Sequence, residues 1–162
     1  MTLDTLQRLL QRARDFPDAG LRLLDRAERE SFHSWAAIEE RSSLVAGGLA
    51  ALGVRPGERV GLVYPTSAEF FDAFFGTLLA GAVPVPLYPP VRLGRLDEYH
   101  ERTAAMMKAA RVALVLADRM TARVLGRSLE VARPALGCAR LDQLESRDAL
   151  VRDLDPDALG FI

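Results

Sequence analysis

The sequence predicts an α/β fold in which helices flank a mostly parallel β-sheet. Short apolar runs, typical of buried strands, alternate with longer segments whose apolar residues recur at helical spacing. Residues 58–87 read strand, helix, strand within about 30 residues, which predicts a βαβ unit with parallel strands and a right-handed crossover. The chain has 162 residues and no internal repeat or linker. We therefore expect residues 1–162 to form a single unit, since that length is typical of one domain.

The first elements precede this unit. Residues 3–14 place leucines at helical spacing and predict an amphipathic helix. The segments LRLLDRA and SFHSW flank a polar tip at residues 28–30, which predicts a β-hairpin. Ser34 is a suitable N-cap for a helix that runs to about Leu52, and Gly53 suits the left-handed position that ends it.

The βαβ unit contains the clearest pattern. ERVGLVY predicts its first strand, and Thr66 followed by Glu69 fits a capping box that starts a densely apolar helix. Gly81 ends this helix, and the second strand is expected over Val83–Leu87.

The same alternation continues to the end of the chain. We expect a helix over residues 95–110, a strand over 112–117, a weaker helix over 118–132 and a short strand over 137–141. The last residues, DPDALGFI, predict a turn that leads into another strand.

Composition excludes several classes of protein. Hydrophobic residues make up 49% and charged residues 27%, with a net charge of −1, which favours neither nucleic acid nor an anionic membrane as a partner. Cys138 is the single cysteine, so an internal disulfide and a multi-cysteine metal site are excluded. The most apolar run is too short to span a bilayer, and charges interrupt the N-terminal residues where a signal peptide would be apolar. We expect no membrane span and a cytoplasmic location.

No catalytic or metal-binding residue stands out. The sequence contains neither a GxxxxGK[ST] nor a GxGxxG phosphate-binding loop, and it has no GxSxG nucleophile elbow. The acidic triplet near the C-terminus lacks the glycine and glutamate that an EF-hand loop requires. Solvated, capping or surface roles are therefore expected for His33, His100, Lys108, Asp153, Asp155 and Asp157.

Three segments in the right order resemble the N-terminal part of the adenylate-forming superfamily. They are SFHSWAAIEE, LGVRPGERVGLV and TLLAGAVPVPL. The continuation VPVPLYPPVRLGRLDEYHERTAAM, together with Tyr64-Pro65, looks most like fatty acyl-AMP ligases. The resemblance extends over residues 20–162 and implies that the chain is part of the large N-terminal domain of such an enzyme.

This resemblance implies a function for the whole protein. Fatty acyl-AMP ligases activate a fatty acid with ATP and magnesium and transfer the acyl group to an acyl carrier protein of a polyketide or lipid synthase. The phosphate loop, the magnesium ligand and the catalytic lysine of that family would follow Ile162, so we expect this chain alone to be inactive and to bind no cofactor. Its partner would be the remainder of the ligase, and without it the chain is expected to expose an apolar patch and self-associate. Two alternatives stay open: part of a fatty acyl-CoA ligase, or a free-standing domain that binds without catalysis.

The candidate site residues are Tyr88, Pro89 and Pro90, at the end of the second strand of the βαβ unit. Ligands of open α/β folds gather beyond the carboxyl ends of the strands, so these residues are expected to form a wall of the substrate pocket. The alternative is a rigid turn packed under the next helix. Pro84 and Pro86, inside the strand itself, indicate an edge or a bulge, where no neighbour needs their missing N–H groups.

Overall fold

A computed structural model describes residues 5–25, 27–90, 96–144, 148–153, 156–158 and 160–162. Six helices and six strands occur in these ranges. In chain order they are α1 (Leu6–Ala13), β1 (Gly20–Leu24), β2 (Glu30–Ser34), α2 (Trp35–Ala51), β3 (Arg59–Val63), α3 (Ala68–Leu79), β4 (Val83–Leu87), α4 (Leu96–Ala109), β5 (Val112–Ala117), α5 (Arg119–Val124), α6 (Gly126–Ala132) and β6 (Cys138–Ala139), followed by a 3-10 turn at Leu141–Gln143. None of the described helices combines the length and apolarity that crossing a membrane requires.

The predicted parallel sheet is confirmed. Its described strands lie in the order β4-β3-β5-β6, and every neighbouring pair is parallel. Strands β3 and β4 pair from Arg59 opposite Val83 to Val63 opposite Leu87. The predicted hairpin is present as well, with β1 and β2 antiparallel in a separate two-stranded sheet.

Both faces of the four-stranded sheet are covered by helices. On one face Leu62 of β3 packs with residues of α2 and α3, and on the other face Val63 packs with residues of α4, α5 and α6. Leu62 and Val63 are fully buried because alternate residues of a central strand point to opposite faces. Burial of one such side chain contributes about 1.5–3 kcal/mol. The result is a helix–sheet–helix sandwich.

The connections reverse direction at the middle of the sheet. The crossover through α3 leads outward from β3 to β4, whereas α4 carries the chain back past β3 to β5, and α5 and α6 lead on to β6. The helices lie on opposite faces, as crossovers of one constant hand require. The adjacent strands β3 and β5 therefore form a topological switch point, where ligands of open α/β folds commonly bind.

Helices α2 and α3 pack closely against each other. Gly76 of α3 lies against Val45 of α2, so that a Cβ atom at residue 76 would come within 2.5 Å of the Val45 Cγ1. A bidentate ion pair crosses the same interface, with Arg41 Nε and Nη2 donating to the carboxylate of Asp72 at 2.7 and 3.0 Å. This contact fixes where α3 begins relative to the sheet.

Two expectations about helices in the first half of the chain are wrong in detail. The N-cap of α3 is Ser67 rather than Thr66, because the Ser67 hydroxyl accepts the N–H of Phe70. Helix α1 buries Gln7 and Leu10 rather than the full leucine stripe, since the Gln7 amide donates to the Leu78 carbonyl at 3.1 Å. The predicted Leu3 lies outside the described residues.

Two further corrections concern the second half. The helix expected over residues 118–132 is divided into α5 and α6 at Leu125, which is fully buried. The strand expected over residues 137–141 is reduced to Cys138–Ala139, because the chain turns into a 3-10 helix immediately afterwards. The strand expected at the end of the chain is represented by one backbone hydrogen bond, from the Ile162 N–H to the Pro84 carbonyl at 3.2 Å.

Candidate functional site

An apolar cavity of about 370 Å³ lies at the carboxyl ends of β3 and β4. The residues after β3 supply one wall, and the end of β4 with the residues after it supplies the other. No acidic or basic side chain is among the described lining residues, which are Tyr64, Pro65, Thr66, Phe70, Pro86, Leu87, Tyr88 and Pro89. The cavity therefore suits an uncharged, apolar group.

The wall that follows β3 is fixed by the start of α3. The Ser67 cap leaves Tyr64, Pro65 and Thr66 as a short connection between the last ladder pair of β3 and the first turn of α3. Phe70 lies in that first turn and packs edge-on against Phe71, with 5.3 Å between the ring centroids. These residues were not among the predicted site residues, although parallel pairing of β3 with β4 places them beside Tyr88.

The predicted site residues lie partly in the cavity wall. Tyr88 and Pro89 line it, whereas Pro90 is not among the described lining residues. The Tyr88 ring is not packed under the next helix, since 81% of the residue is exposed. Its carbonyl oxygen does reach that helix, where it accepts the hydroxyl of Tyr99 at 3.0 Å.

The Tyr64 hydroxyl is a buried polar group without a hydrogen-bond partner among the described residues. The residue is only 5% exposed and packs in the core on the α2–α3 face. Burial raises the pKa of Tyr64 far above its ordinary value, and the nearby carboxylates of Glu69 and Asp118 act in the same direction. The phenol therefore stays protonated.

Acidic side chains surround the switch point between β3 and β5. Burial raises the pKa of Glu69, and Asp118 and Asp142 raise it further. Asp118 is already engaged as the N-cap of α5, where it accepts the N–H groups of Met120 and Thr121, both at 2.7 Å. Asp142 is paired with Arg140 at 2.8 Å, which lowers the pKa of Asp142. These partners account for Asp118 and Asp142 as local structure.

The prolines of β4 lie at an edge of the sheet, where no other strand of the described residues pairs with β4. The Val83 N–H donates inward to the Glu58 carbonyl at 2.8 Å, so the backbone groups of Pro84 and Pro86 point outward. The edge thus offers carbonyl acceptors and no N–H donors. The Ile162 N–H donates to one of these acceptors, the Pro84 carbonyl. The centroid of the neighbouring Phe161 ring lies 6.5 Å from that of the Phe74 ring. The structure confirms that these prolines stand where no neighbouring strand needs their N–H groups.

A second cavity, of about 750 Å³, lies at the N-terminal end of α2. The ion pair of Arg14 with Glu39 at 3.1 Å contributes both of its side chains to the lining. This cavity shares no lining residue with the apolar cavity, and two of its charged side chains, Arg14 and Glu39, are paired with each other. We regard it as a surface groove rather than a substrate site.

Other polar residues have structural roles. The expectation that His100 is solvated or capping is wrong, because it is 8% exposed and its Nδ1 lies 2.9 Å from the hydroxyl of Ser128, which joins α4 to α6. His33 lies 3.2 Å from the Ser31 hydroxyl on the hairpin, and Lys108 is exposed as expected. Asp153 pairs with Arg8, whereas Asp155 lies outside the described residues. Within the described ranges, no group of three or more His, Cys, Asp or Glu side chains is placed to hold a metal ion.

Comparison with known families gives an extensive match. The profile of a family described as AMP-binding enzyme matches residues 10–158. The salicyl-AMP ligase / salicyl-S-ArCP synthetase of Mycobacterium tuberculosis is 34% identical over 140 residues, which cover 83% of this chain and 23% of the relative. The long-chain-fatty-acid–AMP ligase FadD32 of Mycolicibacterium smegmatis is 36% identical over 67 residues, covering 41% of this chain and 10% of the relative.

Solved structures share the fold. One, from a study of fatty acyl-adenylate ligases from E. coli and L. pneumophila, superimposes with a TM-score of 0.88 at 24% identity and covers 97% of this chain and 29% of that chain. At this identity the match shows a common fold. The chain spans about a quarter or less of the length of these two curated relatives.

Proposed function

The chain belongs to the AMP-binding enzyme family, as its resemblance to adenylate-forming enzymes indicates, and we propose that it is part of a ligase that activates a fatty acid as its acyl adenylate. In this reaction a carboxylate oxygen attacks the α-phosphorus of ATP, and the bond to the bridging oxygen breaks as pyrophosphate leaves. The acyl group then passes to the thiol of an acyl carrier protein, and AMP is released. The remainder of the protein would supply the groups that bind ATP and magnesium. The 162 residues alone are expected to be inactive.

The apolar cavity at the carboxyl ends of β3 and β4 carries the proposal. We assign Tyr88 and Pro89 to the wall that contacts the hydrocarbon part of the acid, opposite Phe70. A site for an amino acid would need a negative charge near the ammonium group, and none of the described lining residues is acidic. The lining therefore favours an acid without an amino group.

A second candidate is an aryl acid. The relative that aligns over most of this chain is named for salicyl-AMP formation, and the cavity is lined by the aromatic residues Phe70 and Tyr88, against which an aryl ring would pack. A fatty acyl-CoA ligase and a non-catalytic binding domain are the remaining alternatives.

Exchange of labelled pyrophosphate into ATP tests the proposal. The protein encoded by the full reading frame that contains these residues should catalyse exchange with medium- and long-chain fatty acids and much less with salicylate. Loading of carrier protein rather than CoA would separate the acyl-AMP ligase from the CoA ligase. Exchange dependent on salicylate alone would favour the aryl acid, and no exchange with any acid would favour the binding domain. The isolated 162 residues serve as the inactive control, and exchange by them would contradict the assignment of the phosphate-binding groups elsewhere.

A further inference from the structure

Tyr88 is an exposed aromatic residue on a rigid support. The β4 ladder ends at Leu87, so the Tyr88 carbonyl has no partner in the sheet. Downstream, Pro89 fixes its own φ and restricts the backbone of Tyr88 to extended conformations. The Tyr99 hydroxyl donates to the Tyr88 carbonyl at 3.0 Å and supplies the hydrogen bond that the sheet does not. Strand β4 before Tyr88, Pro89 after it and the Tyr99 hydroxyl therefore all restrain its backbone.

Tyr99, which donates this hydrogen bond, is itself held by packing. Tyr99 lies in the first turn of α4 and packs against the core cluster that contains Leu87 and Met107. Burial raises the pKa of Tyr99, so its hydroxyl stays protonated and remains a donor through the physiological pH range. The hydrogen bond joins residues 11 apart in the sequence and therefore ties the carboxyl end of β4 to α4.

The hydrogen bond accounts for the position of the Tyr88 backbone but not for the exposure of its ring. With 81% of the residue exposed, Tyr88 contributes little to the core, and its ring lines the apolar cavity instead. Exposed aromatic residues whose backbone is already fixed are effective in recognition, because less entropy is lost when the ligand orders them.

We infer that Tyr99 is a positioning residue, whose hydrogen bond to the Tyr88 carbonyl holds the aromatic wall of the cavity in place and thereby sets the affinity for the acid. The inference rests on the proposed function for the identity of the ligand. It assigns Tyr99 no contact with the acid. Its effect must therefore pass through Tyr88.

Fluorine NMR tests the hydrogen bond in the 162-residue chain. The chain contains three tyrosines, so 3-fluorotyrosine labelling gives three signals, which single Tyr→Phe variants assign. Tyr99→Phe removes one oxygen atom and should shift and narrow the Tyr88 signal as its ring gains mobility. The buried Tyr64 signal reports whether the fold is intact and should stay unchanged. A Tyr88 signal with the same position and width in Tyr99→Phe would overturn the inference.

Kinetics of the protein from the full reading frame test the effect on affinity. Tyr99→Phe should raise the KM for the acid about fivefold, the equivalent of one net hydrogen bond, with kcat within about twofold. Tyr88→Ala should raise KM at least as much, and adding Tyr99→Phe to it should cause no further change, because residues that act through one contact are not additive.

The outcomes separate the positioning role of Tyr99 from the proposed function of the protein. A full fivefold effect of Tyr99→Phe in the Tyr88→Ala background would show that Tyr99 acts elsewhere and would overturn its positioning role. Acid-dependent exchange with an unchanged KM in Tyr99→Phe would overturn that role alone. Absence of exchange in the unaltered protein would overturn the proposed function together with the effect on acid affinity, while the fluorine spectra would still decide whether the hydrogen bond holds Tyr88.

Discussion

Replacement of Gly76 by alanine should destabilise the chain through the contact between α2 and α3. A Cβ atom at residue 76 would lie 2.5 Å from Val45 Cγ1, 2.7 Å from Val45 Cβ and 3.0 Å from the Ser42 carbonyl oxygen. Two of these atoms cannot move away by a side-chain rotation. Overpacking of this kind costs about 1–3 kcal/mol, and the upper end applies where the contact is with the backbone. Alanine regains about 1 kcal/mol of helix propensity, which leaves a net loss of about 2 kcal/mol.

Urea denaturation followed by circular dichroism measures this loss. Thermal unfolding gives a second measure, because a loss of about 2 kcal/mol lowers the melting temperature of a domain of this size by about 4–8 °C. Gly126→Ala is the matched control, because a Cβ atom there would meet nothing within 4 Å. That variant should be neutral or up to about 1 kcal/mol more stable. If Gly76→Ala proves as stable as Gly126→Ala, the close approach of the two helices is wrong.

Two further predictions concern the carboxyl edge of the sheet. Tyr64→Phe removes a buried hydroxyl that has no hydrogen-bond partner among the described residues. In urea denaturation the variant should therefore be as stable as the parent or up to about 1 kcal/mol more stable. A loss of stability above about 1 kcal/mol would mean that the hydroxyl is hydrogen-bonded. Because burial and Asp118 raise the pKa of Glu69, the folded chain loses stability as pH rises from the ordinary value of 4.5 toward the raised one. Glu69→Gln should therefore have a higher melting temperature than the parent at neutral pH, and the difference should disappear below pH 4.5. A difference in melting temperature that is the same at both pH values would contradict the raised pKa of Glu69.

The order of elements could be predicted from the sequence because each depends on local patterns. Gly53 and Gly81 end α2 and α3 with positive φ angles of 93° and 78°, as their positions after apolar helices predict. The cap of α3 could not be decided this way. Thr66 and Ser67 both carry hydroxyl groups, and the structure shows that the Ser67 hydroxyl accepts the Phe70 N–H.

The substrate-pocket role of Tyr88, Pro89 and Pro90 stays a prediction, and the sequence located only one side of the cavity. The end of β4 was recognisable from its prolines, so Tyr88 and Pro89 were placed in the cavity wall. The opposite wall, from Tyr64 to Phe70, was missed although the predicted βαβ unit already brings the end of β3 beside the end of β4, because no residue type in that connection marks a binding site. His100 illustrates another limit, since its partner Ser128 is 28 residues away on another helix.

The edges of the sheet allow a prediction about association. At one edge β6 is only two residues long, and at the other the outward-facing Pro84 and Pro86 have no N–H groups to offer a neighbouring strand. A strand that paired there would leave its own carbonyl groups without donors. We therefore expect any self-association of the chain to occur through exposed apolar side chains such as Phe161, which is 59% exposed, rather than through edge-to-edge strand pairing.

Pro86→Val tests this reasoning, because it adds an outward N–H and a residue with high strand propensity at the exposed end of β4. The variant should form thioflavin-positive aggregates faster than the parent chain, whereas sedimentation of the parent should show only reversible association. Pro17→Val, at an exposed position outside the sheets, is the control and should behave as the parent. Equal aggregation rates for the two variants would show that the missing N–H of Pro86 does not protect the edge.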